Sequence, residues 1–392
     1  MDYIVKKLNK IKESGLYREL KYIETAQSPR VKINGKNFIL LGSNNYLGLC
    51  NDKRLKKAAI DAINKYGVGS GGSRLTTGSY DIHKQLEEKI AAFKNTEASI
   101  VFNTGYMTNV GIISSICNKD WVIFSDKLNH ASIVDGCLLS RAKLIRYKHC
   151  DMNDLSYKVN KFKGINNLIV TDGVFSMDGD IAPLEDIVKI ARRQNIMTMV
   201  DDAHAAGVLG ENGSGTASYF NVDGKIDIMM GTLSKSAASE GGYAAGKRNL
   251  IDYLKNSARS FIYSTSISPS AIAVSIKALE IIENDTVRRL QLLDLSNWLK
   301  IKLKTMGFDI PNTKTPIIPI IVGAEDKTVE FSKRLLQECI YIPAIRPPSV
   351  PKGTSRLRIS LMATHSKEDL NEVLIKLESI GKELNIIGGY HA

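Results

Sequence analysis

NLIVTDG (Asn167–Gly173), LEDIVKIARRQN (Leu184–Asn195), MTMVDDAH (Met197–His204) and DIMMGT (Asp227–Thr232) follow one another along the chain. The first, third and fourth are short apolar runs of strand type, whereas the second repeats its apolar residues at helical spacing. Upstream, SIVF (99–102), WVIFS (121–125) and KLIRY (143–147) extend the alternation. Strands separated by helical segments predict an α/β fold whose large domain holds a mainly parallel sheet covered by helices. Ligands of such sheets bind beyond the carboxyl ends of the strands, where Asp172, Asp201, His204, Thr232 and Lys235 all fall.

Before this core come a first helix, the strand-like pieces VKI and NFILL, and the loop SNNYLGL (43–49). After it, helix-rich sequence from Ser270 to Met306 leads into TPIIPIIVG, YIPAIRPP and RLRISLMA, three expected strands, and a last helix over Lys367 to Leu384. The expected organisation is an N-terminal helix and arm (1–52), a large domain (53–283) and a smaller C-terminal α+β domain (284–392).

With 392 residues, 24% charged and 43% hydrophobic, the chain has ordinary globular composition and enough length for two or three units. Its 53 Lys+Arg against 41 Asp+Glu give +12. The lysines are scattered and build no arginine-rich run interleaved with aromatics, so solvated surface charge is preferred over nucleic-acid binding. A non-catalytic basic nucleic-acid-binding protein is the alternative from a different class. Five isolated cysteines without CxxC or metal-ligand spacing fit a reducing compartment and suggest no metal. The charged N-terminus lacks the apolar core of a signal peptide, and no apolar run approaches the ~20 residues that span a bilayer. The expected location is the cytoplasm, with no membrane partner.

Asp201 followed by Lys235 suggests pyridoxal phosphate as cofactor. A lysine can hold the aldehyde as a Schiff base, and a carboxylate on another strand can keep the pyridine nitrogen protonated. A carboxylate ending an apolar strand is costly without a cation beside it, and the pyridinium is such a cation. His204 and Ser176 are placed to hydrogen-bond the phenolic oxygen, and His130, just after a strand, to lie over a planar ring. Gly105 and Tyr106 open a helix after SIVF, where backbone N–H groups can bind a phosphate. Thr232, with Ser264 or Thr265, offers hydroxyls to the same group. Arg356 and Arg358 alternate on a strand and share a face, and either could clamp a carboxylate. GVGSGG (67–72) matches a dinucleotide fingerprint in letters only, because a helix precedes it where the fingerprint needs a strand.

Taken together, SNNYLGL, GSGGSRLTTGSYDIHKQLEEKIAAF, SDKLNHASIVDG, TDGVFSMDGDIAPL, VDDAHAAGVLGENG, GTLSKS and SRLRISLMATH closely resemble the α-oxoamine synthases, a family of fold-type I pyridoxal phosphate enzymes. The likeness covers nearly the whole chain. FIYSTS and AIRPPSVPKGTSRLRIS are most similar to the branch that condenses L-alanine with a pimeloyl thioester of coenzyme A or acyl carrier protein. The products implied are 8-amino-7-oxononanoate, CO2 and free thiol, as in biotin synthesis. The alternative within the family joins glycine to acetyl-CoA.

The resemblance implies that Lys235 anchors the cofactor and moves the proton, that Asp201 pairs with the ring nitrogen, and that His204 and Ser176 contact the phenolic oxygen. It implies His130 on the ring and Gly105, Tyr106 and Thr232 at the phosphate end. Ser264 would reach the phosphate of a neighbouring subunit, implying a homodimer with shared sites. Arg358 would bind the amino-acid carboxylate with Asn44 near it, and Arg18 and Ser349 would line the acyl side. Ser234 and Ser236 depart from the Gly-Lys-Ala found in many relatives.

Overall fold

The computed structural model describes residues 1–13, 17–162 and 164–388. Its strands are β1 (Arg30–Ile33), β2 (Lys36–Leu40), β3 (Ala98–Phe102), β4 (Trp121–Asp126), β5 (Lys143–Tyr147), β6 (Asn166–Asp172), β7 (Met197–Asp201), β8 (Ile228–Thr232), β9 (Gly242–Gly246), β10 (Ile317–Gly323), β11 (Ile340–Tyr341), β12 (Ala344–Ile345) and β13 (Ser355–Ser360). Seven of them form the central sheet, in the order β3-β9-β8-β7-β6-β4-β5. All neighbours there are parallel except those of β9, which runs against both β3 and β8.

Strands β6, β7 and β8 are buried over most of their length, which is why they read as continuous apolar runs instead of alternating ones. The helix Leu184–Arg193 packs against β7 and buries Leu184, Ile187, Val188 and Ala191, spaced as one helical stripe. The apolar sequence signal and the burial therefore coincide.

Strand β9 was not expected from the sequence. GYAAG has little β-forming side chain, but the neighbouring helix Gly105–Ile116 requires that composition. A Cβ on Gly242 would stand 2.4 Å from Thr108 Oγ1 and 2.8 Å from Gly105 Cα. Close backbone approach wins over propensity.

Two smaller sheets complete the fold. One is antiparallel, β10-β13-β12, and the other is β1-β2-β11, in which β11 joins β2 in parallel. YIPAIRPP is thus not one strand. Tyr341 ends β11 in one sheet and Ala344 opens β12 in the other, with Pro343, which lacks an N–H, between them. The helix Lys53–Tyr66 ends at Gly67 with φ +81°, so GVGSGG follows a helix as expected. A buried ion pair, Lys94 Nζ to Asp202 Oδ2 at 2.7 Å, ties the end of helix Asp81–Phe93 to the residue after β7. Among the described residues no helix is long and apolar enough to cross a membrane.

Candidate active site

Strands β6, β7 and β8 deliver Asp172, Asp201 and Thr232 to one edge of the sheet. The loops beyond these ends close a cavity of about 220 Å³ whose lining includes Gly105, Tyr106, Asn109, His130, Asp172, Ser176, Asp201, His204, Thr232 and Lys235. All of these except Asn109 are expected from the sequence, and they meet in one place.

Asp201 is 4% exposed. Its Oδ2 accepts from Asn109 Nδ2 at 2.7 Å and its Oδ1 from the Ala203 N–H at 2.9 Å, and it forms no ion pair among the described residues. Asn109 also donates to Ser132 Oγ at 2.8 Å, which contacts His130 Nδ1 at 2.7 Å. Asp172 accepts from the His130 backbone N–H at 2.8 Å. Burial, reinforced by the charge of Asp201, raises the Asp172 pKa well above the usual carboxylate value, which favours its neutral form.

Lys235 lies in the turn after β8, half-buried. Burial lowers its pKa to about 8, against the opposing pull of Asp201 and Asp172. At pH 7 about a tenth is then the nucleophilic free amine, far more than for an ordinary lysine. Burial, aided by the positive charges of Lys235 and Arg358, keeps His204 neutral. The Tyr46 hydroxyl lies 2.6 Å from His204 Nδ1. Assigning the phenolic O–H to this short contact makes Nδ1 the acceptor and leaves the Nε2–H to donate.

His130 stands exposed at the cavity mouth, where partial burial lowers its pKa against the pull of Asp201. At the opposite wall, Thr104 caps the helix Gly105–Ile116 by accepting from the Met107 N–H at 3.1 Å. A Cβ on Gly105 would come within 3.2 Å of Met230 Cε and 3.4 Å of Thr232. A bare helix N-terminus therefore faces a hydroxyl, a setting suited to a phosphate. The Tyr106 hydroxyl bonds Asp135, and its residue is 48% exposed.

Arg358, on β13, approaches from the smaller sheet and is 5% exposed. It donates to the Ser176 carbonyl, to Asn44 Oδ1 at 3.2 Å and to the Tyr46 hydroxyl at 3.4 Å. Arg356, on the same face, is already paired with Asp178. Of the two arginines, only Arg358 joins the residues around His204.

Ser349 lies in the wall of a second cavity of about 440 Å³, which shares His130 and Ser176 with the first. Four expected residues line neither cavity, Arg358 and Asn44, described above, and Arg18 and Ser264. Arg18 is exposed in an irregular segment, and Ser264 accepts from Asn103 Nδ2 at 3.1 Å.

Sequence reasoning gave no role to Asn109, Tyr46 or Ser132. Asn109 is one helical turn past Gly105 within NTGYMTN, and that spacing was the available signal. Sequence spacing also concealed a cluster in which ligand-type atoms of Asp126, His149 and Cys150 lie within 4.8 Å of one another. Both ring nitrogens of His149 are engaged there, Nδ1 by Asp126 at 3.0 Å and Nε2 by Asp180 at 2.7 Å.

The cavity fits pyridoxal phosphate on its own chemistry. It combines a buried carboxylate lacking a cation, a lysine of lowered pKa and a phosphate-type helix terminus. The family model for aminotransferase class I and II matches residues 36–377. An 8-amino-7-oxononanoate synthase of Lysinibacillus sphaericus is 52% identical, covering 98% of this chain and 100% of its own. A solved serine palmitoyltransferase with pyridoxal phosphate as internal aldimine superposes with a TM-score of 0.93 at 32% identity, covering 98% of each chain. The structure of 8-amino-7-oxononanoate synthase from Francisella tularensis gives a TM-score of 0.78 at 29% identity over 89% of this chain and 99% of that one. The chain belongs to the aminotransferase class I and II family and, within it, to the α-oxoamine synthases, pyridoxal phosphate-dependent acyltransferases with an α/β fold-type I architecture.

Proposed function

We propose that this enzyme condenses L-alanine with a pimeloyl thioester to give 8-amino-7-oxononanoate, CO2 and free thiol, the step that its 52% identical relative is named for. The observation that carries the reading is that near-full-length identity, resting on a cavity that combines Lys235, Asp201, His204 and His130.

Bound pyridoxal phosphate supplies an aldehyde and an electron-withdrawing ring able to stabilise a carbanion at the amino-acid α-carbon. Lys235 Nζ, kept partly neutral by burial, is the group that would hold the aldehyde carbon and would take and return the α-proton. Asp201, fixed by Asn109 and Ala203, holds the ring nitrogen's proton. The His204 Nε2–H and the Ser176 hydroxyl would serve the phenolic oxygen, and His130 would cover the ring. Gly105, Tyr106 and Thr232 hold the phosphate, with Ser264 reaching the phosphate of a second subunit in a homodimer. Arg358, steadied by Asn44, takes the alanine carboxylate, while Arg18 and Ser349 border the acyl chain. A cytoplasmic location accompanies this reading.

The test is a screen of alanine, glycine and serine against pimeloyl and acetyl thioesters, followed by thiol release. Release with alanine and pimeloyl donor alone supports the proposal. Release with glycine and acetyl-CoA but not with alanine replaces it by the glycine acetyltransferase reading. Lys235→Ala is expected to abolish the borohydride-trapped cofactor adduct, and a persisting adduct at the normal site refutes the lysine's role.

A further inference from the structure

We propose that Lys127 and Arg146 form a receptor for the distal carboxylate of the acyl chain, selecting dicarboxylic over monocarboxylic thioesters. The inference rests on the reading that an acyl thioester enters beside Ser349. It adds a chemical reason why one end of that chain should carry a negative charge.

The second cavity, about 440 Å³, lies within the ~300–1,000 Å³ usual for small-molecule sites. It shares the His130 and Ser176 walls with the reactive cavity, so a chain whose thioester carbon reacts in one can extend into the other. Leu128, Val350 and Pro351 supply apolar wall for methylenes.

Both cations line this cavity. Lys127 follows the last residue of β4, and Arg146 belongs to β5, in register with Ser125 on β4. The Arg146 Nη2 donates to the Lys127 carbonyl, which fixes the guanidinium beside the lysine while leaving its other N–H groups without a side-chain acceptor among the described residues. Lys127 Nζ has no side-chain partner among them either. Asp178 is the one carboxylate in the lining, and it is committed to Arg356. The cavity is therefore left with uncompensated positive charge next to apolar wall, complementary to an ω-carboxylate on an alkyl chain.

The experiment uses the holoenzyme with alanine and two coenzyme A thioesters of equal length, pimeloyl and heptanoyl, assayed by thiol release. The wild type is expected to favour pimeloyl by about tenfold or more in kcat/KM, the scale of one charge-assisted hydrogen bond. Lys127→Met/Arg146→Gln is expected to remove most of that preference by raising the pimeloyl KM, with kcat/KM for heptanoyl unchanged. An undiminished preference in the variant overturns the proposal. An equal loss with both donors also overturns it, because the cations then hold phosphates of the shared carrier. If the wild type releases thiol from neither donor but does so from acetyl-CoA with glycine, the underlying reading of the reaction fails first, and the receptor with it.

Discussion

Asp172 and Asp201 are register partners on the adjacent parallel strands β6 and β7, both buried at the edge of one cavity. Burial and the neighbouring charge drive Asp172 to the neutral form, while Asp201 receives the Asn109 and Ala203 hydrogen bonds. The arrangement separates two similar carboxyl groups into different tasks. If Asp201 pairs with the ring nitrogen as proposed, Asp201→Asn removes that partner and is expected to lower thiol release by roughly 10²-fold or more, the scale seen when one preorganised electrostatic partner is lost. A variant within tenfold of wild type contradicts the assignment.

Asp172→Asn should behave quite differently. A neutral amide reproduces the neutral acid and can still accept from the His130 N–H. A carboxyl whose folded pKa is raised costs stability as pH climbs above its unfolded value near 3.8. The asparagine variant should therefore melt at or above the wild-type temperature at pH 8, with the gain vanishing below about pH 4. Asp172→Ala, which loses the bond to His130, should cost about 1 kcal/mol. Paired thermal melts at the two pH values decide it.

The Tyr46 contact makes a third prediction. Tyr46→Phe removes the hydroxyl that orients His204 and also receives Arg358. Loss of one such bond corresponds to about tenfold in rate. It should appear together with a shift in the visible absorbance of the bound cofactor if His204 serves its phenolic oxygen as proposed. An unchanged spectrum with normal alanine turnover would remove Tyr46 from the site.

Cofactor capture should depend on pH in a defined direction. The attacking form of Lys235 is the free amine, and burial has brought its pKa down to about 8. Stopped-flow addition of pyridoxal phosphate to apoenzyme should give a rate that rises from pH 6.5 and levels off above about pH 9. An inflection near 10.5, the ordinary lysine value, would show that the side chain is solvated.

His149 should set a pH dependence of stability. Burial disfavours its charge, but hydrogen bonds with Asp126 and Asp180 prevail and push its pKa up to about 12. A raised folded pKa gives stabilisation that is full below about 6.5 and is lost as pH rises toward the folded value. The wild type should thus exceed His149→Gln in melting temperature by more at pH 6 than at pH 10. An equal gap at both values would mean that the imidazolium contributes nothing.

Much of this was legible from sequence because the apolar runs around Asp172, Asp201 and Thr232 are buried on both faces and carry polar residues only at their ends. The parallel sheet and most of the cavity follow from that pattern. Strand β9 escaped because its Gly–Ala composition answers to a neighbouring helix and not to strand propensity. YIPAIRPP was read as one strand because Pro343 sits between pieces serving different sheets. Asn109 and Tyr46 were missed because their partners, Asp201 and His204, are 92 and 158 residues away. The His149 cluster likewise joins the end of β4, the segment after β5 and Asp180, which local spacing cannot connect.

Strand β3 has one neighbour in the central sheet, and that neighbour is β9. A growing polypeptide has made Ala98–Phe102 long before Gly242–Gly246 exists, so during synthesis this strand waits with both edges unpaired while β4 to β8 can already assemble. The short Gly–Ala segment then completes the sheet and joins the helix that begins at Gly105 to the strands bearing Asp172, Asp201 and Thr232. The sheet is therefore complete only once Gly242–Gly246, the last of its seven strands in chain order, has been made.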